Sequence, residues 1–363
     1  MSAAADAIFM ARAIRLAANA WYTTDPNPRV GCVLVKDGEV VAEGWHVRAG
    51  QAHAEVDALA KLAHPDQAVG ATAYVSLEPC SHQGRTGPCC DALIAAGVSR
   101  VVAAMQDPNP LVAGRGLAKL QAAGVQVECG LLQAEAERLN RGFIKRMVKG
   151  LPYIRSKLAM SLDGRTALAN GQSQWISSAE SRSDVQRFRA ESSAILTGID
   201  TVLADDPSLN ARVDFDCIQP VRVVLDSKLR MPLTARMLNL PGETWVITCT
   251  DDAPKRQALE AVGCTVQQVA AQAGRVDLQQ AFAWLAGRQI NTVWVEAGAI
   301  LNGALLATDL VDEWLVYVAP CALGDQARGV FAFPALQNLS DRQSFNFAQV
   351  RQVGPDLRLT LTR

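Results

Sequence analysis

No uninterrupted apolar run in the sequence approaches the ~20 residues that cross a bilayer, which excludes a spanning helix and, with it, a membrane partner. Charge of one sign is also missing. Against 36 acidic residues stand 35 basic ones, and the formal net charge of −1 gives no global field to gather a polyanion, so nucleic acid is not expected as a partner. The N-terminus has no secretory pattern, because Asp6, Arg12 and Arg15 interrupt its apolar residues. The nine cysteines have neither an even count nor the clustering of a disulfide framework, being scattered from Cys32 to Cys321; the chain is expected to be cytoplasmic with reduced thiols. Low-complexity tracts and internal repeats are absent as well. What is there is ordinary globular material, 49% hydrophobic and 20% charged, and a length of 363 residues favours two cores over one.

Periodicity organises the chain. Ile8, Ala11, Ile14 and Ala18 recur at helical spacing, which predicts an opening amphipathic helix. Val30 to Val35 and Val40 to Glu43 flank Asp37-Gly38, a pair that takes the positive φ angles of a tight hairpin turn. Helices over 53–62, 88–96 and 117–122 then alternate with strands over 71–77, 101–104 and 125–128, the order of a layered α/β sheet. A helix is predicted over 135–149, and Gly150-Leu151-Pro152 breaks it, placing a domain boundary between 1–149 and 150–363. The second half repeats the α/β style, with strands over 153–158, 194–197, 221–225, 245–248, 292–295 and 313–318.

His53-Ala54-Glu55 begins a predicted helix, Pro79-Cys80 follows a strand, and Cys89 comes after eight intervening residues. Each residue alone reads more simply as a packed thiol or a helix-start acid. Together, in this order and on these elements, they resemble the zinc-deaminase signature of H-x-E followed by P-C and a second cysteine, with a longer gap between the cysteines. His53, Cys80 and Cys89 would supply three ligands, leaving a fourth position for water, and Glu55 would shuttle its proton. A structural zinc would need a fourth protein ligand, for which His82 and Cys90 are the candidates; Cys90 reads as a core thiol facing away.

The stretch Pro79-Cys80-Ser81-His82-Gln83-Gly84-Arg85-Thr86-Gly87-Pro88-Cys89 resembles the riboflavin-biosynthesis deaminases, as do Pro26-Asn27-Pro28-Arg29-Val30-Gly31 and Gly44-Trp45-His46. In that family the deaminase is fused to a reductase, and here Lys157-Leu158-Ala159-Met160-Ser161-Leu162-Asp163-Gly164-Arg165, Ser173-Gln174-Trp175-Ile176 and 201–212 are similar to that partner. The resemblance implies a cytidine-deaminase-like three-layer α/β domain followed by a dihydrofolate-reductase-like α/β domain. It implies that Asn27, His46 and His82 line the pyrimidine pocket. It further implies that Ser173, Arg189, Leu209, Arg212 and Glu296 contact a ribose phosphate. For NADPH it implies Ala159, Trp175, Thr201, Asp205, Ser227 and the loop Gly298, Ala299, Ile300, Leu301, Asn302 and Gly303. Read by themselves, the arginines are surface charges, Trp175 a packed aromatic, and Glu296-Ala297-Gly298 a turn whose N–H groups could approach a phosphate.

The implied reactions are deamination at C2 of a diamino-ribosylaminopyrimidinone 5′-phosphate, with Glu55 moving the proton to the departing ammonia, and hydride transfer from NADPH to the ribosyl C1′. Lys157, Asp205 and Glu296 are the polar candidates for the second step. The rival expectation is a zinc nucleobase or tRNA deaminase whose C-terminal half is inactive or merely binds a nucleotide; a tRNA enzyme should add a basic strand-binding surface, which the balanced charge disfavours. A homo-oligomer, dimer or tetramer, is expected from the resemblance, with the apolar stretches 315–318 and 357–361 as strands that could pair across its interface.

Overall fold

The computed structural model describes residues 2–82, 87–110 and 112–363. The chain divides into two compact units, Met1–Gly150 and Leu151–Arg363.

The first unit is built on a five-stranded sheet in the order Glu39–Trp45, Gly31–Lys36, Thr72–Val75, Arg100–Ala103, Gln126–Cys129. The first three are antiparallel neighbours and the last three parallel ones. Asp37 and Gly38, at the hairpin tip, take φ of 52° and 85°, as the turn requires. Strand alternation divides the core between two faces. Cys32, Leu34, Ala73 and Val75 point towards the helices Ala54–Ala60 and Cys89–Ala95, while Val33, Val35 and Tyr74 point towards the opening helix Ala3–Ala18. On the second face the buried Asp6 takes two parallel hydrogen bonds from Arg100, at 2.9 and 2.8 Å, and a third from the Tyr74 hydroxyl. The helix expected over 135–149 is two helices, Gln133–Leu139 and Arg141–Lys149. The break is Asn140, whose side chain accepts from Arg29 N at 2.8 Å and donates to Arg29 O at 2.9 Å; tying down the 26–30 segment takes this residue out of helical geometry.

The second unit carries a nine-stranded sheet in the order Cys264–Gln268, Thr244–Thr248, Val221–Leu225, Ala194–Gly198, Thr292–Glu296, Tyr153–Ser161, Glu313–Ala319, Asp356–Thr362, Asn346–Val353. Its first seven strands are parallel, and both faces are apolar: Leu196, Ile247, Val293 and Val295 fill one, Ile195, Val246 and Trp294 the other. The apolar stretches 315–318 and 357–361, expected to pair across an interface between copies, instead pair with each other inside the chain, from Leu315 opposite Thr360 to Val318 opposite Leu357. The strand Asn346–Val353 is therefore the outer edge. No helix among the described residues is long and apolar enough to cross a membrane.

Candidate active sites

His53 is the N-cap of the helix Ala54–Ala60, Cys80 follows the strand Thr72–Val75, and Cys89 opens the helix Cys89–Ala95. Their ligand atoms lie within 4.8 Å of one another. His53 Nδ1 stands 3.6 Å from Cys80 Sγ and 3.3 Å from Cys89 Sγ. Tetrahedral zinc with its usual bond lengths holds a nitrogen and a sulfur about 3.5 Å apart, so the three donors fit the ion in element type and in spacing. The Cys89 N–H donates to Cys80 Sγ at 3.3 Å. That contact is secondary to the hydrogen bond from the Cys89 thiol, which with His53 holds the Cys80 thiol down at about 4; the same neighbour and burial push Cys89 up. Cys90 turns into the core and donates to Pro79 O at 3.2 Å, and His82 is exposed, so neither is a fourth ligand.

Glu55, in the first turn of the same helix, is 2% exposed, and burial pushes its carboxyl up to about 7. It is in hydrogen-bond contact with the Cys89 thiol. Beside it the His46 ring is set edge-on to His53 at 5.2 Å. His46 Nδ1 donates to Ala52 O at 2.9 Å, which leaves Nε2 to accept from Asn27 Nδ2 at 3.0 Å. The part of the resembling stretch at Gln83 to Thr86 lies outside the described residues.

In the second unit a cleft of about 2170 Å³ lies at the carboxyl ends of the parallel strands, where open α/β sheets bind ligands. Its wall brings together Ala159, Ser173, Trp175, Arg189, Thr201, Asp205, Ser227, Leu209, Arg212, Glu296 and the segment Gly298 to Asn302. Gly303 is placed elsewhere: a Cβ there would stand 2.1 Å from Ala332 O, so this residue packs against backbone and does not face the cleft. Asn302 is on the wall but 2% exposed, its amide engaged by Ala297 O and Ser156 Oγ. Leu209 is buried at a positive φ of 44°, a conformation that costs a branched residue energy and is kept only where the surroundings impose it. Trp175 is 68% exposed under the Arg182 guanidinium, 4.5 Å away.

Arg189 and Glu296, expected as separate substrate contacts, form one two-point ion pair: Arg189 Nε donates to Oε1 at 2.6 Å and Nη2 to Oε2 at 2.8 Å. Arg189 Nη1 donates to Asn210 O at 2.9 Å. Burial alone would raise the Glu296 carboxyl, but the Arg189 charge and hydrogen bonds hold it down at about 2. Lys157 faces Glu296 from the adjacent strand, and burial lowers the pKa of its ammonium. Arg212 is the more exposed cation, with Nη1 on Asn210 Oδ1 at 3.1 Å.

Residues 4–105 match the cytidine and deoxycytidylate deaminase zinc-binding region, and residues 152–359 match the RibD C-terminal domain. The riboflavin biosynthesis protein RibD of Escherichia coli is 53% identical over 98% of this chain and 99% of its own. The chain belongs to the bifunctional riboflavin-biosynthesis deaminase/reductase family. Among solved members, RibD of Acinetobacter baumannii superposes with a TM-score of 0.91 at 46% identity, over 99% of each chain. The deaminase/reductase of Thermotoga maritima gives 0.85 at 32% identity, again over 99% of each. As a member of this family the chain is a hydrolase and an oxidoreductase in one, using zinc in its deaminase unit and NADPH in its reductase unit.

Two residues of the first unit beside the metal ligands escaped pattern reading. Asp107, half-buried, has its carboxyl pushed up to about 6 by burial and faces the negative field of Glu78 and Cys80. Glu78 is 3% exposed, directly precedes Pro79-Cys80, and accepts four backbone N–H groups from the 107–117 segment. The one available signal was an acid directly after the expected strand 71–77 and directly before Pro79-Cys80.

Proposed function

We propose that the N-terminal unit deaminates 2,5-diamino-6-ribosylamino-4(3H)-pyrimidinone 5′-phosphate and that the C-terminal unit reduces the ribosyl group with NADPH to give 5-amino-6-(5-phospho-D-ribitylamino)uracil. The observation that carries the first half is the convergence of His53, Cys80 and Cys89 with a buried carboxyl, Glu55, in contact with the Cys89 thiol. Zinc bound by these three residues supplies a water acidic enough to react near neutrality. Glu55 then takes a proton on its carboxylate and returns it to the leaving amine, while Asn27 and His46 orient the pyrimidine edge. Removing the proton carrier alone is the test. Glu55→Gln should keep its zinc and lose ammonia release by at least a hundredfold, the range of general acid–base catalysis. Ammonia release at the wild-type rate from a zinc-loaded Glu55→Gln protein refutes the assignment. Chelation should abolish ammonia release and leave NADPH oxidation of the deaminated intermediate untouched.

In the reductase half, Trp175, Thr201, Asp205, Ser227 and the 298–302 segment hold NADPH along the cleft, and the helix start at Ala299 presents N–H groups to its phosphates. Arg212, with the N–H groups of Arg189 not committed to Glu296 or Asn210, binds the substrate phosphate. The acceleration rests on holding the nicotinamide close to C1′. The exposed edge strand Asn346–Val353, with Phe347 and Val350 at 67% and 58% exposure, supports association with a second copy; a monomeric mass by light scattering would refute it. Nine cysteines with no disulfide among the described residues suit a reducing cytoplasm.

A further inference from the structure

The sheet places Trp294 and Glu296 two residues apart on the strand Thr292–Glu296, hence on one face, with one residue wholly buried and the other at the strand's carboxyl end in the cleft. The Trp294 indole Nε1–H donates to Glu296 Oε1 at 2.7 Å. A carboxylate has about four acceptor positions, two on each oxygen. Arg189 occupies one on Oε1 and one on Oε2, and Trp294 occupies the second on Oε1. The position left over is on Oε2.

We infer that Trp294 is a positioning residue of the reductase: by filling Oε1 it fixes the rotation of the Glu296 carboxylate and assigns Oε2 as the oxygen that accepts a hydrogen bond from the ribosyl substrate. Arg189 alone cannot make that choice, since a fork with one bond to each oxygen leaves both with a vacant position. The indole is itself rigidly seated. It stacks on Phe188 with centroids 5.0 Å apart and planes within 4°, and the guanidinium groups of Arg155 and Arg358 lie 5.7 and 5.2 Å from the Phe188 ring. Arg155 is in turn held by Glu191 at 2.8 Å and Glu313 at 2.9 Å. A flexible donor would follow the carboxylate as it turned; a wedged indole makes the carboxylate follow it.

The inference rests on Glu296 touching the substrate, and the experiment separates the two claims. In the full-length protein, Trp294→Phe keeps an aromatic ring on Phe188 and removes the donor together with part of the buried ring. Its kcat for NADPH oxidation should fall about tenfold, the size of one hydrogen bond to a charged group, with the KM for NADPH unchanged. Glu296→Gln is measured alongside. If Glu296→Gln reduces substrate at the wild-type rate, the assignment of Glu296 fails. If Glu296→Gln is impaired while Trp294→Phe keeps the wild-type kcat, the role of Trp294 fails by itself. Should Trp294→Phe not bind NADPH, the proton spectrum of the seven tryptophan indoles decides: one indole N–H resonance should move upfield between wild type and Glu296→Gln, and seven unmoved resonances overturn the inference.

Discussion

Glu78 sits where the zinc ligands and the loop beside them are joined, and replacing it by glutamine should loosen the deaminase unit while sparing the reductase. Its Oε2 accepts from Asp107 N at 3.0 Å and Gly114 N at 2.9 Å, and its Oε1 from Gly116 N at 2.8 Å and Leu117 N at 3.3 Å. All four donors are backbone and cannot turn away. In Glu78→Gln one oxygen survives, and whichever way the amide is flipped its nitrogen faces two N–H groups. Two hydrogen bonds to a charged acceptor are lost, each worth roughly 1.5–3 kcal/mol, so a loss of about 4 kcal/mol is expected. With a slope of about 2 kcal/mol per molar urea, the midpoint of the deaminase unit should fall by roughly 2 M. The assay is a urea series on the full-length protein, following ammonia release and NADPH oxidation in the same samples. Ammonia release should be lost at lower urea than in the wild type, and NADPH oxidation at the same urea. A Glu78→Gln protein that loses ammonia release at the wild-type midpoint would refute the claim that these bonds hold the site.

Two further substitutions probe the same unit. Hydrogen bonds from Arg100 hold the Asp6 carboxyl at about 2, against an ordinary 3.8; the folded-state value is the lower one, so the stabilisation is fully present above pH 3.8 and is lost as pH falls towards 2. The difference is worth about 2 kcal/mol, so Asp6→Asn should lower stability by that amount at pH 7 and by less at pH 3, as urea unfolding at the two pH values would register; an equal loss at both would contradict it. Gly44 lies under the zinc-ligand helix, and a Cβ there would stand 2.3 Å from Ala58 N and 2.4 Å from Ala54 O. Gly44→Ala should therefore push that helix outwards, costing roughly 1–3 kcal/mol and weakening zinc retention in a competition with a chromogenic chelator; retention equal to wild type would show that the helix yields without moving His53.

The deaminase site was legible because its chemistry is local: His53 and Glu55 share one helix start, and Cys80 and Cys89 flank one short loop, so order and residue type sufficed. The first sheet was legible for a related reason, since its hairpin is local: Asp37-Gly38 between the apolar runs Val30 to Val35 and Val40 to Glu43 marks a tight turn and the two strands it joins. Legibility failed wherever a long-range partner decides. Asn140 reads as one more residue of a helix, and only its bonds to Arg29, 111 residues away, end that helix. The helix Ala179–Ala190 is too polar to announce itself by periodicity, and it forms with Ser178 as its cap and Val185 buried. Arg189, read alone, is a solvated charge, and Trp294 a core aromatic. What turns them into parts of a site is Glu296, 107 residues beyond Arg189 and two beyond Trp294. The carboxylate is the acceptor that both donors need in a buried setting, and with those donors in place it stays ionised there. Each member is explained only by the other two, so a reading that takes residues one at a time assigns all three to their commonest roles and misses the group.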